Sequence, residues 1–133
     1  MYRRAFDEDF PICWFLYVED ATGRCRVQDY LDDRPAHERD KVIARMKEWA
    51  RNGDWNSRVG FVKQLTLPPK FADVAIYELK SHQDRVLFIR CRHDAVAIDA
   101  KQKKDDWSKK DNNFLEAAVL IARAALKECG ERR

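Results

Sequence analysis

Three short apolar runs between residues 74 and 101 dominate the hydrophobic pattern of the chain. They read VAIYELK, RVLFIRCR and AVAIDAK, and polar residues at 81–84 and 93–94 separate them. Runs of this length, rich in β-branched and aromatic residues and bounded by polar turn residues, are typical of strands in hairpins. The sequence therefore predicts a three-stranded antiparallel meander.

The two faces of this meander differ, because alternate side chains of a strand point to opposite sides of a sheet. One face is almost wholly apolar and is expected to lie on the core: Ala75, Tyr77, Leu79, Leu87, Ile89, Cys91, Val96 and Ile98. The other face mixes apolar residues with charged ones: Glu78, Lys80, Arg90, Arg92 and Asp99. We expect this charged face to remain open and to carry the function.

The segments before the meander predict one more strand and two helices. The continuous apolar run at 12–18 fits a buried or edge strand, and residues 27–31 fit a short helix. From 36 to 52, apolar residues recur on one side of an amphipathic helix that Gly53 ends. Residues 1–11 are interpreted as a loosely held arm. The long connection at 54–71 contains a segment, 59–65, that fits a short strand.

The last element is a C-terminal helix that runs to about residue 128. Asn113 and Glu116 predict a reciprocal N-terminal cap, and Gly130 predicts its end. The complete order predicts a single domain, residues 1–133, of the α+β class. It consists of a small antiparallel sheet, made of the N-terminal strand and the meander, with helices packed on one face.

Composition and charge narrow the class of protein. The formal net charge is only +3, but the excess of cations falls within residues 63–110, which favours a local anionic partner. No segment approaches 18 consecutive apolar residues, and five of the first ten residues are charged, so we expect a cytoplasmic protein without a membrane partner. The cysteines, Cys13, Cys25, Cys91 and Cys129, lack metal-ligand spacing, and buried thiols are favoured over disulfides or a metal site.

Most familiar catalytic motifs are missing from the chain. It contains no Gly-rich phosphate loop, GxSxG elbow or HExxH motif. His37, His82 and His93 are scattered over a helix start and two turns, and are interpreted as surface residues.

What remains is a set of cations around Glu78, on and beside the meander: Lys63, Lys80, Arg85, Arg90, Arg92, Lys101, Lys103 and Lys104. Such a set suits phosphate contacts along a nucleic-acid strand, with Tyr77, Phe88 or Trp107 as stacking surfaces. It also suits metal-free RNA cleavage, which needs a base, an acid and cations that stabilise the phosphorane. Ordinary solvated charge is the alternative.

The order of short motifs adds to this interpretation. From residue 13 to 127 the chain contains WFLYVED, GRCRVQDYL, MKEWARNG, KQL, IYELK, DRVLFIR, AVAIDAKQKK and EAAVLIAR. This order resembles the RelE/HigB superfamily of bacterial toxins, and is most similar to its phage-derived HigB-like branch. The resemblance implies a RelE-like fold and a metal-independent endoribonuclease, without cofactor, that cleaves mRNA on the ribosome and inhibits translation. It also implies a cognate antitoxin protein as partner, in a type II toxin–antitoxin system.

The resemblance implies roles for individual residues. Arg85 and Lys104 would bind and stabilise the scissile phosphate, and Lys80 or Glu78 would be the base. The remaining cations are expected to bind RNA: Lys63, Arg90, Arg92, Lys101 and Lys103.

The chain departs from the family pattern at three points. Lys101 and Asp84 replace a Phe and a Tyr, and DDWSKK replaces a Thr-Pro ending, so no residue matches a general acid. Arg85 also shares strand parity with the apolar Leu87 and Ile89, so a bulge or the turn must redirect it toward a phosphate. These departures leave two alternatives open: a non-catalytic RNA- or protein-binding relative of prophage origin, or an assembly protein with solvated cations.

Overall fold

A computed structural model describes residues 1–131, and in it six strands form one mixed sheet. The strands are β1 (Tyr2–Arg4), β2 (Trp14–Tyr17), β3 (Val62–Gln64), β4 (Tyr77–Ser81), β5 (Asp84–Cys91) and β6 (Asp94–Gln102). The helices are α1 (Arg26–Asp33), α2 (Ala36–Asn52) and α3 (Asn112–Glu131). The strand order is β1-β2-β6-β5-β4-β3, in which β2 runs parallel to β6 and the other neighbours are antiparallel.

The α+β class and the antiparallel meander are confirmed, but the sheet is larger than predicted and mixed rather than antiparallel. The prediction that helices cover one face is also wrong. Val86 and Phe88 of β5 pack in the core formed with α1 and α2, whereas Leu87 and Ile89 pack in the core formed with α3. Because consecutive residues of β5 are apolar, the strand is buried on both faces.

Aromatic residues form the centre of the core beneath α1 and α2. The Phe88 ring lies 4.8 Å from that of Trp14 and 5.2 Å from that of Trp49, between ring centroids. The helix α2 ends, as predicted, at Gly53, whose φ of 62° lies in the left-handed region. A Cβ at this position would lie 2.5 Å from the Cβ of Pro11, so the close approach of the two segments also requires glycine.

The opposite core is closed by a disulfide. Cys91 at the end of β5 is bonded to Cys129 near the end of α3, across 38 residues of sequence. The prediction of buried thiols is therefore wrong for these two residues, while Cys13 and Cys25 are free thiols. Spacing along the chain did not reveal the pair, because only the packing of α3 along the sheet brings its last turn to the end of β5.

The first residues are held more firmly than the predicted loose arm. Tyr2–Arg4 form the edge strand β1, and the Val18 amide donates to the Met1 carbonyl at 2.7 Å. The N-terminal amine lies 2.7 Å from the Glu128 carboxylate on α3. The N-terminal segment therefore joins the sheet to the end of α3.

The start and end of α3 differ from the prediction. The helix begins at Asn112, directly after a 3₁₀ turn at Lys109–Asp111, and the reciprocal cap is formed by Ser108 and Asp111. Gly130 lies inside the helix rather than ending it. Within residues 1–131, no helix has both the length and the apolar character needed to cross a membrane. Residues 132–133 of the predicted single domain lie outside the described part of the chain.

Candidate functional site

A small pocket lies at the end of the sheet where β4 turns into β5. Glu78, Lys80 and Arg85 line it with Lys63 of β3 and Trp107 of the connection to α3. Its volume of about 120 Å³ has room for several water molecules or one phosphate group. Four predicted site residues, three from the β4–β5 hairpin and Lys63 from β3, therefore meet in one place.

Strand register explains this meeting. Lys80 is paired with Arg85, and Glu78 with both Leu87 on β5 and Lys63 on β3. Directly opposed residues in antiparallel strands point to the same face, so these side chains emerge together on the α3 side of the sheet.

Arg85 is turned inward, as its parity with Leu87 predicts. It is only 3 % exposed, and its Nη1 donates to the carbonyls of His82, at 2.6 Å, and Asp84, at 3.1 Å. Its Nε lies 3.8 Å from Oε1 of Glu78. The guanidinium therefore lies in the wall of the pocket, held by the turn between β4 and β5. No bulge redirects it, since the irregularity of the sheet falls beyond Leu87.

Glu78 is a buried carboxylate, 3 % exposed, with two partners. Arg85 lies on one side, and the Trp107 indole N–H donates a hydrogen bond on the other. Trp107 is itself stacked on Phe114 of α3, with 5.8 Å between ring centroids and 11° between planes. A buried charge is tolerated only when it is paired and hydrogen-bonded, and these contacts meet that condition for Glu78.

Two cations of the pocket are exposed. Lys63 and Lys80 both reach solvent, and neither forms an ion pair with a side chain of residues 1–130. Their charges are therefore available to an anion that enters the pocket. A buried carboxylate and guanidinium beside two exposed ammonium groups have the chemistry to hold an anion such as a phosphate group and to accept a proton from a neighbouring hydroxyl.

The KQKK tract is divided between structural and exposed lysines. Lys103 is 5 % exposed, and its Nζ lies 2.7 Å from Asp111 and 3.1 Å from Asp105. Although burial alone lowers it, the hydrogen bonds to these two carboxylates raise the pKa of Lys103. Lys101 lies 3.5 Å from Asp111, whereas Lys104 is exposed and lines a neighbouring shallow pocket. The charge of Lys103 is neutralised within the protein, and that of Lys104 is not.

Two of the predicted RNA-binding residues lie elsewhere. Arg90 is placed over the Trp55 ring at 5.0 Å, and its Nε donates to the carbonyl of Arg92 at 2.8 Å. Seven residues of extended strand, about 23 Å, separate Arg92 from Arg85. These two arginines are therefore not part of the pocket.

The predicted stacking residues are also separated. Tyr77 and Phe88 stack on each other, with 5.6 Å between ring centroids, in the core under α2. Of the three aromatic residues predicted for base stacking, only Trp107 lines the pocket.

Sequence reasoning missed a second, more open pocket. It shares Gly60, Phe61 and Lys80 with the first, and Arg45 and His82 complete it. The Arg45 guanidinium lies 4.9 Å from the Phe61 ring centroid and donates to the Lys80 carbonyl at 2.9 Å. Arg45 is not among the apolar positions of the α2 pattern, and nothing in its spacing indicates this contact. His82 is easier than Arg45 to associate with the site from the sequence, because it lies only three residues before Arg85.

No group of three His, Cys, Asp or Glu side chains within residues 1–131 is arranged to hold a metal ion. No protein family model matches the chain, and no curated protein sequence matches it.

Proposed function

We propose that this protein is a metal-independent endoribonuclease of the RelE/HigB type that cleaves mRNA. The observation that carries the proposal is the single phosphate-sized pocket lined by Lys63, Glu78, Lys80 and Arg85. These residues combine a carboxylate, a guanidinium and two unpaired ammonium groups, which supply the base and the cations that metal-free RNA cleavage needs.

In the proposed reaction, Glu78 is the general base that removes the proton of the ribose 2′-OH. The O2′ attacks phosphorus, and the bond from phosphorus to O5′ breaks. Lys63 and Lys80 contact the non-bridging oxygens, and Arg85 stabilises the negative charge that builds up on the phosphorane. The products are a 2′,3′-cyclic phosphate and a 5′-hydroxyl end.

The cations outside the pocket extend this surface. Lys104 and the partly exposed Lys101 border the neighbouring pocket, where they would contact the RNA backbone beyond the scissile phosphate. In keeping with the motif resemblance, we propose that the RNA is presented on the ribosome. A cognate antitoxin protein would then cover the site, as part of a toxin–antitoxin system in the cytoplasm.

The direct experiment is tightly controlled induction in a bacterial host, with RNA 5′ ends mapped from the same cultures. Glu78→Gln and Lys80→Ala are compared with wild type, and Arg92→Ala is the control because it removes an exposed cation far from the pocket. We expect growth arrest and new 5′ ends with wild type and Arg92→Ala only. Normal growth with intact RNA under wild-type expression would refute the proposal.

One observation favours a non-catalytic alternative, an RNA-binding module of prophage origin. Arg85 and Glu78 are both nearly inaccessible and are partners of each other, as in a purely structural ion pair. The alternative predicts that purified protein binds RNA with a steep salt dependence but leaves it uncut, and that Glu78→Gln does not change the binding.

A further inference from the structure

The proposed cleavage needs a group that protonates the leaving 5′ oxygen, and the carboxyl groups of the first pocket are poorly suited to this role. Both oxygens of Glu78 face donors, Arg85 and Trp107, and Glu78 is already assigned as the base. Hydrogen bonds from Lys110 and Lys103 lower the pKa of Asp105 to about 2, so this carboxyl has no proton to give near neutral pH. The other ionisable side chains of the pocket are Asp106, Lys63 and Lys80, and the two lysines are already assigned to the non-bridging oxygens. A better-suited donor is a side chain beside the pocket whose ordinary pKa lies near neutral pH.

His82 lies beside it, in the turn between β4 and β5. Its side chain is exposed and lines the second pocket, which shares Lys80 with the first. The imidazole is the side chain most often used as a general acid near neutral pH.

The backbone of His82 is tied to the proposed phosphate site. Its φ of 53° lies in the left-handed region, an uncommon conformation for a residue with a side chain. Its carbonyl accepts a 2.6 Å hydrogen bond from Nη1 of Arg85, a wall residue of the first pocket. Arg92, in the turn between β5 and β6, has the same conformation, with a φ of 59°, so the contact with Arg85 rather than the backbone angle distinguishes His82. The same guanidinium therefore positions the turn and serves the pocket.

The distance between His82 and Glu78, the proposed base, suits two groups that act on opposite sides of one phosphodiester. Four residues of extended chain separate Glu78 from His82, about 13 Å between Cα atoms. Lys80 lies midway between them and borders both pockets. A phosphate bound at Lys80 would therefore have the strand position of Glu78 on one side and that of His82 on the other.

We propose that His82 is the general acid of the cleavage, an assignment that rests on the proposed function. As Glu78 takes the 2′-OH proton and the bond from O2′ to phosphorus forms, the bond from phosphorus to O5′ breaks with its electron pair on oxygen. The protonated imidazole of His82 gives its proton to that oxygen, and His82 leaves the step neutral.

The test compares two RNA substrates that share a mapped cleavage site, presented on ribosomes if free RNA is not cut. One carries the ordinary linkage, and the other carries sulfur in place of the bridging 5′ oxygen, a leaving group that needs no protonation. The variant is His82→Asn, because asparagine adopts the left-handed conformation readily and preserves the turn. The control is His93→Asn, in the turn at the opposite end of β5. Thermal unfolding confirms that both variants are folded.

We expect His82→Asn to cleave the ordinary linkage on the order of 100-fold more slowly than wild type. On the sulfur linkage it should match wild type within about threefold, since the lost proton is not needed there. An unchanged rate on the ordinary linkage, or equal slowing on both substrates, would overturn the assignment. If wild type cleaves neither substrate, the proposed function itself fails and the assignment fails with it.

Discussion

The Nζ of Lys103 lies 2.7 Å from Oδ2 of Asp111, and both side chains are buried at the start of α3. This contact connects the end of β6 to the 3₁₀ turn that begins the helix, and Asp111 also accepts from the Ser108 amide. The next residue, Lys104, is exposed and forms no ion pair within residues 1–131. Two adjacent lysines of one basic tract therefore have different roles.

We expect Lys103→Ala to lower the free energy of unfolding by about 2 kcal/mol, because buried Asp111 would keep only Lys101, at 3.5 Å, and the Ser108 amide as partners. Lys104→Ala is the matched control and should change stability by less than about 0.5 kcal/mol. Urea unfolding of the three proteins measures both effects. Equal stabilities for the two variants would show that the Lys103–Asp111 pair contributes nothing to the fold.

The buried carboxylate of Asp99 predicts that the stability of the protein depends on pH. Burial raises the pKa of Asp99 despite the Ala100 amide and Arg26 beside it, and its Oδ2 has no hydrogen-bond partner within residues 1–131. The pKa of Asp99 in the folded protein lies above its value in the unfolded chain, near 3.9. Asp99 therefore makes its whole contribution to stability at pH values below the unfolded pKa. This contribution is lost as the pH rises through the folded pKa.

Asp99→Asn should therefore stabilise the protein at pH 7, by about 1 kcal/mol, or a few degrees in Tm. The gain should disappear as the pH is lowered toward 3, where wild-type Asp99 is also neutral. Asp106→Asn, at an exposed position, makes the same change in net charge and should leave Tm unchanged. A gain for Asp99→Asn that persists at pH 3 would mean that burial of the charge is not its cause.

The disulfide predicts a strong dependence on redox conditions. Cys91–Cys129 closes a loop of 38 residues, and closing a loop of this size restricts the unfolded chain by about 2–4 kcal/mol. Cys129→Ser should lower the unfolding free energy by this amount, and wild type under a thiol reductant should behave in the same way. Cys13→Ser, which replaces a free thiol, is the control. If reductant leaves the wild-type unfolding curve unchanged, the bond does not stabilise the native state.

Local patterns predicted the elements well, because local forces determine them. Apolar alternation and turn residues correctly predicted the meander, and Gly53 correctly predicted the end of α2. Contacts between distant segments were not predictable in this way. The Cys91–Cys129 bond and the burial of Lys103 both depend on where α3 packs, and a lysine in a basic tract looks the same whether or not a distant aspartate meets it.

The candidate site was predicted in part for the same reason. Glu78, Lys80 and Arg85 lie on one hairpin, so strand parity and register relate them, and the structure brings them together. Arg90 is on the same strand as Arg85 but has the opposite parity and lies near its other end. The prediction that Arg90 shares a face with Glu78 and Lys80 is therefore wrong, because Glu78 is paired with Leu87 and Arg90 lies on the opposite face of the sheet.

This separation gives a prediction for RNA binding. Lys80→Ala removes an exposed cation of the pocket, so it should weaken RNA binding and lower the slope of log K against log salt by about 0.7 to 1. Arg90→Ala removes an equal charge at the far end of β5, where the side chain is placed over Trp55, and should change neither the affinity nor the slope. Binding is measured between about 50 and 200 mM salt. The RNA carries 2′-deoxy substitution to prevent cleavage. If both variants reduce the slope equally, RNA contacts the whole strand rather than the pocket, and the site extends to both ends of the sheet.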